Sequence, residues 1–139
     1  MSLGYIGYCK KISEDDLTVC YAYSGSNWNL PTNDSSAELA YDGDFAIDKS
    51  ILQWKPAKPR VQTEYIHWTH TAIENRLAVI ITECKNAFYR HGMNFDYIVL
   101  NFFIRYLIPY TKPANFPKKL LLYNRRIKQS NLMKQILEN

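Results

Sequence analysis

The sequence predicts an α+β fold: an antiparallel sheet of three to four strands from the N-terminal half, packed against two to three helices from the C-terminal half. Three observations predict it. Apolar and polar residues alternate with a period of two through the first third of the chain, as in "LTVCYAYS". The stretch "KPAKPR" at 55–60 breaks the chain, because two prolines in four residues favour an extended connection. Beyond it the apolar spacing lengthens to that of a helix. At 139 residues the chain reads as a single domain, with residues 1–54 as the sheet half and 61–139 as the helical half.

The elements follow in order. "GYIGYCKKI" is a short strand, in which Gly4 and Gly7 suit a bulge or a close backbone approach. "SEDD" is the turn of a hairpin. In "LTVCYAYS", Leu17, Val19, Tyr21 and Tyr23 point one way and Thr18, Cys20, Ala22 and Ser24 the other. "SGSNWNLPTNDSS" is a polar loop, long for a compact domain and therefore a candidate for function. "AYDGDFAIDKS" is a third strand, with Tyr41, Gly43, Phe45 and Ile47 on one face and Asp42, Asp44, Ala46 and Asp48 on the other. A helix is predicted from Glu64 to about Arg90, opened by Thr63 and stopped by Gly92. Its apolar face would carry Ile66, Ile73, Leu77, Ile80, Cys84 and Phe88. A second helix is predicted after Asn94 as N-cap, through "FDYIVLNFFIRYLI" to Pro109, and is the most buried because it is apolar on nearly every side. "KKLLLYNRRIKQSNLMKQILEN" is a final helical candidate.

Composition narrows the function. Hydrophobic residues at 47% and charged residues at 22% describe a globular chain rather than a disordered one. Tyrosine is over-used, at 11 residues, and its broad ring with a polar tip serves either sheet packing or a binding surface. Cys9, Cys20 and Cys84 form no close pair, which argues against a disulfide framework and a structural zinc site. The N-terminus lacks a basic region followed by an apolar run, and the run "FDYIVLNFFIRYLIPY" is too short and polar to span a bilayer. A cytoplasmic protein with no membrane partner is expected. Charge is uneven: residues 1–54 hold three lysines against eight acids, net −5, whereas residues 55–139 hold fourteen cations against five acids, net +9. The basic half would suit an acidic ligand, or the two halves would attract each other.

Four constellations bear on chemistry. In "YIHWTHTAIENR", His67, His70 and Glu74 stand at i, i+3 and i+7, which places them on one side of a helix. A three-ligand zinc site, and with it a metal-assisted hydrolase, is the form an enzyme would take here. On the predicted helix His70 lies within about 40° of Ile66, inside the apolar stripe, with His67 and Glu74 at its edge, so a packed histidine is the expectation. Cys84 falls on the same stripe, where a buried thiol is inert. Asp42, Asp44 and Asp48 share a strand face without an EF-hand pattern, and read as a solvated, pairing-averse surface. The basic segment holds Lys118, Lys119, Arg125, Arg126 and Lys128 among aromatic residues, a composition suited to single-stranded nucleic acid. No glycine-rich phosphate loop is present.

"GYIGYCKKISEDDLTVCYAYSG", followed by "AYDGDFAIDKS", resembles the start of certain small uncharacterised bacterial proteins: a Gly-Tyr-rich strand, a strand ending in Tyr-x-Tyr, then a Tyr-Asp-Gly strand. Similar small proteins occur among the immunity proteins of bacterial toxin systems, which bind and block a cognate toxin. The resemblance implies a binder and carries over no catalytic residue. The expected function is therefore a non-enzymatic protein-interaction module with no cofactor. It would contact its partner through Tyr21, Tyr23, Trp28, Tyr41, Asp42 and Asp44, since aromatic anchors with a charged rim give interfaces their affinity and steering. A nucleic-acid-binding accessory protein using the basic segment is the alternative.

Overall fold

The alternation of "LTVCYAYS" builds the middle strand of a five-stranded antiparallel sheet. The structure, a computed structural model, describes residues 5–38, 40–54, 62–89, 95–102 and 116–123. The strands are β1 (Tyr5–Glu14), β2 (Thr18–Asn27), β3 (Gly43–Asp48), β4 (Ala78–Thr82) and β5 (Lys119–Tyr123). They lie in the order β4-β3-β2-β1-β5. Two α-helices accompany them, α1 (Gln62–Glu74) and α2 (Tyr97–Phe102). The α+β class holds, with one strand more than expected among the described residues.

The β1–β2 hairpin turns where "SEDD" predicts it. The Asp15 carboxylate accepts the backbone N–H groups of Leu17 (2.8 Å) and Thr18 (2.7 Å), so a short acidic side chain closes the turn. A bulge between Lys11 and Ser13 leaves Ile12 without a cross-strand partner, and Ile12 is 54% exposed.

Residues directly opposite in an antiparallel pair share a face. The register therefore puts Gly7, Cys9, Val19, Tyr21, Tyr23, Gly25, Phe45 and Ile47 on one side of the sheet. This side faces α2. The Tyr21 ring stacks on Phe45 at 5.4 Å, and Phe102 of α2 meets Tyr21 at 5.1 Å and Phe45 at 5.4 Å. Burying one such ring contributes about 2–3 kcal/mol. Gly7 and Gly25 stand opposite each other and form a slot for Ile98. A Cβ on Gly7 would lie 2.6 Å from Ile98 Cγ2, and one on Gly25 would lie 2.7 Å from Ile98 Cδ1. The close approach expected at Gly7 is thus an approach of α2, not of another strand. On the other side, Ile6, Tyr8, Ser24 and Ser26 are buried beneath the polar loop. Ser24 Oγ donates to Ala37 O at 3.0 Å, and the Tyr41 ring packs edge-on against Tyr8 at 4.8 Å.

Three expectations are corrected. The helix predicted from Glu64 to about Arg90 stops at Glu74, and residues 78–82 form β4 instead. The stop is a Schellman motif: Leu77 N–H donates to Ala72 O (2.9 Å) and Arg76 N–H to Ile73 O (3.1 Å), with Arg76 left-handed at φ 59°. Past that turn the β-branched run Val79–Ile80–Ile81–Thr82 prefers a strand. The final helix predicted from Lys118 is replaced over its first residues by β5, which pairs with β1; the rest of that segment lies outside the described residues. The second helix forms, but Asp96 caps it rather than Asn94: Asp96 Oδ1 accepts Ile98 N–H at 3.0 Å. Its predicted continuation to Pro109 lies outside the described residues.

Candidate functional site

The buried polar groups come first, because they decide whether an acid/base centre exists. Tyr23, Cys84 and Asp96 meet behind β2. Tyr23 O–H donates to Asp96 Oδ2 at 2.9 Å and its oxygen accepts Cys84 N–H at 3.2 Å. Asp96 Oδ1 also accepts the N–H groups of Phe88 (3.1 Å) and Ile98 (3.0 Å). Asp96 is fully buried, and that burial pushes its carboxyl above the usual carboxylate range. Cys84 Sγ lies 3.9 Å from Asp96 Oδ2, and burial, with Asp96 beside it, drives the thiol up. Such a thiol is not a nucleophile. The cluster is a cap and a tether that ties β2, the segment after β4 and the start of α2 together.

Tyr21 and Tyr23 were expected at the binding surface. Both are fully buried: Tyr21 O–H donates to Pro117 O at 2.7 Å, and Tyr23 is held in the cluster above. Neither presents a surface to a partner, because their faces are used up in core packing. Trp28 is half-buried, its indole N–H donating to Glu38 Oε1 at 3.2 Å. Tyr41 is half-buried at φ 46°, with Lys10 Nζ 4.2 Å above its ring. Asp42 is exposed and accepts Lys85 N–H at 2.9 Å. Asp44 stands opposite Thr82 at the end of β4. Lys85 reaches Asp34 at 2.6 Å, and this pair with Ser36 holds the Asp34 carboxyl down, at about 2.

His70, expected in the core, is exposed, as are His67 and Glu74. α1 buries Trp68, Thr69 and Ala72 instead. At 100° per residue the three outward residues lie roughly 130–170° from the centre of that buried stripe. The expected apolar face was drawn partly through residues that belong to β4 and beyond, which rotated its phase. Among the described residues, no three His, Cys, Asp or Glu side chains gather closely enough to hold a metal ion. In the basic segment, Lys118 and Lys119 are exposed at the start of β5, and Lys119 stands directly opposite Lys10. Arg125, Arg126 and Lys128 lie outside the described residues. No helix among the described residues is long and apolar enough to cross a membrane.

Among the described residues, an open concavity lies elsewhere, along β4. β4 is an edge strand: β3 pairs with it on one side, and no described strand pairs with it on the other. A groove of about 320 Å³ runs beside it, lined by Ile73, Arg76, Val79, Ile81, Glu83 and Tyr89 among others. Ile81 is 60% exposed because a bulge between Asp44 and Phe45 of β3 leaves it without a partner. Arg76 sits at the strand's entrance in the left-handed turn, and Glu83 at its exit, where Tyr89 O–H donates to it. The backbone polarity of this edge follows from one bond. Asp48 N–H donates to Leu77 O at 2.8 Å, so this is a hydrogen-bonded pair. By alternation Val79 turns its amide and carbonyl toward β3, while Ala78 and Ile80 turn theirs away from it; Ala78 is nonetheless only 3% exposed, so its outward groups are covered.

None of the groove residues is among the contact residues expected from the sequence; Ile73 and Ile80 are expected only as packing positions of a helix. The signal was present in "LAVIIT", a β-branched run with no charge, following an Asn-Arg that ends a helix. Comparison with family models, with curated proteins and with solved structures returned no match for this chain.

Proposed function

We propose that this chain is a non-enzymatic protein-interaction module whose contact surface is the groove beside β4. The observation that carries this reading is a strand at the end of the described sheet, uncharged and mostly β-branched, whose Ile81 is 60% exposed beside a groove of about 320 Å³. Edge strands of stable monomers are commonly blunted by charge or proline. β4 has neither, whereas the opposite edge opens on Lys118 and Lys119. The groove replaces Tyr21 and Tyr23 as the apolar contact, while Asp42, Asp44 and Glu83 keep the acidic rim at the strand's far end. The likeness of the N-terminal strands to immunity proteins points the same way, toward a protein partner such as a toxin. An enzyme reading lacks comparable support, because the titratable cluster of Tyr23, Cys84 and Asp96 is sealed in the core and His67 and His70 stand on an exposed helix face.

Affinity capture with the full chain and two surface variants tests this. Ile81→Lys places a charge in the groove at a residue already exposed, and His70→Ala alters an exposed residue of α1. One and the same partner is expected with the wild type and His70→Ala, lost with Ile81→Lys and shielding residues 78–82 from hydrogen exchange. A partner retained by Ile81→Lys would move the contact surface away from β4.

A further inference from the structure

Resting on the reading of the groove beside β4 as a contact surface, we propose that its occupant is an aliphatic segment of a partner protein with a carboxylate at one end, seated by side chains alone with that carboxylate on Arg76. Backbone pairing along the strand has too few groups to use, since Ala78 is covered at 3% exposure. Recognition therefore falls to the side chains that line the groove, and three features of them point to an acidic, aliphatic occupant.

The first is an unanswered charge. Arg76 is exposed on the groove lining, and none of the ion pairs among the described residues involves it. The groove's own carboxylate, Glu83, stands at the far end of β4 and is engaged by the Tyr89 hydroxyl. The guanidinium offers two parallel N–H donors, a fork that matches both oxygens of an incoming carboxylate.

The second is the base on which that cation stands. The turn that ends α1 fixes the Arg76 backbone with two hydrogen bonds, Arg76 N–H to Ile73 O and Leu77 N–H to Ala72 O. A side chain carried on a closed turn has less freedom left to lose on binding than one on an open loop. Ile73, which supplies one of those carbonyls, also lines the groove, so the turn and the apolar wall beside it are one unit.

The third is polarity along the groove. Val79 and Ile81 lie between its two ends, and Ile81, 60% exposed, offers the aliphatic contact. The exit carries Glu83, with Asp44 opposite Thr82 and Asp42 on the Lys85 amide. An acid is attracted at the entrance and repelled at the exit, which fixes the end at which the occupant carries it. β4 is five residues long, so at about 3.3 Å per residue an extended segment of similar length covers it.

A phage-displayed library of random octapeptides, selected on the immobilised full chain, tests this, with fluorescence polarisation of the recovered peptides as the readout. The wild type is expected to enrich peptides with one Asp or Glu at the end of an aliphatic run. Arg76→Gln is expected to bind them at least about fivefold more weakly, with an unchanged circular dichroism spectrum. Arg76→Glu is expected to prefer the same peptides with the acid changed to lysine, which the wild type rejects. Ile81→Asn removes aliphatic carbon without adding charge and is expected to lose the peptides. Recovered peptides that carry no acid would overturn the proposal, and so would peptides that bind both Arg76 variants as tightly as the wild type. If such peptides are still lost with Ile81→Asn, the carboxylate falls and the groove stands as a contact surface. If no peptide is recovered, or if Ile81→Asn binds as the wild type does, both fall.

Discussion

β2 and β4 are both rich in residues that favour strands, yet they solve opposite problems. β2 lies at the centre of the sheet and is buried without interruption from Tyr21 to Asn27. Three of its polar tips are tied off inside, Tyr21 to Pro117, Tyr23 to Asp96 and Ser24 to Ala37, whereas the buried Ser26 hydroxyl finds no partner among the described residues. β4 lies at the rim, where only Ala78 is buried and Ile81 stands in the open. In the centre, polar tips were placed where they must find partners, because an unpaired buried group costs about 1–3 kcal/mol. At the rim, the apolar carbon of Ile81 is left uncovered. The tyrosine excess therefore belongs to the core, and the interaction surface to residues that composition does not flag.

The largest test of the centre removes its shared acceptor. Asp96→Ala strands the Tyr23 hydroxyl and the amides of Phe88 and Ile98 at once. It should lower the unfolding free energy by about 3 kcal/mol in urea titrations, the sum of a lost cap and unpaired buried donors. Asp96→Asn keeps an oxygen for the amides and a polar contact to Tyr23, and should cost about 1 kcal/mol. The two side chains part company with pH. Burial raises the Asp96 carboxyl in the fold, so the folded state holds a proton that the unfolded chain has released. That contribution is complete below the unfolded carboxylate's value and disappears as pH rises through the folded one. Wild type should thus lose stability relative to Asp96→Asn as pH is raised from acid toward neutral. Parallel pH profiles for the two proteins would show that this carboxyl does not titrate differently in the fold.

A smaller effect is expected where the helix meets the same strands. Gly7→Ala pushes a methyl group into Ile98, whose Cγ2 would stand 2.6 Å from it. The expected cost is about 2 kcal/mol of overpacking. Made together with Ile98→Ala, the same change should cost under about 1 kcal/mol, since the clash has been cut away. Equal costs in both backgrounds would mean that Gly7 is required for its backbone and not for the slot.

How far the molecule was legible follows the same division. β2, β3 and the hairpin at Asp15 were readable because alternation and a closing carboxylate are local signals. β4 was not, because Leu77 and Ile80 also satisfy a helical spacing when counted on from Ile73, and because the residue that ends α1 is Arg76 rather than glycine. The same ambiguity of spacing assigns His70 to the core, whereas it is exposed. β5 was hidden by "KLLLY", a leucine run without alternation whose partner, β1, lies at the other end of the chain. The groove could not be read at all from local pattern: which strand forms an edge is a property of sheet order, set by contacts between distant segments. Asp96 was visible only as a polar letter in an apolar run, and its role needed Tyr23 and Cys84 beside it.

The smallest expected effect bears most directly on the rim. Arg76 pays a conformational penalty at φ 59° that glycine would not. Arg76→Gly should therefore raise the unfolding free energy by about 1 kcal/mol. Urea titration of the two proteins measures it. A fall in stability would place the value of Arg76 in contacts of its side chain with its own groove, and not in the turn that ends α1.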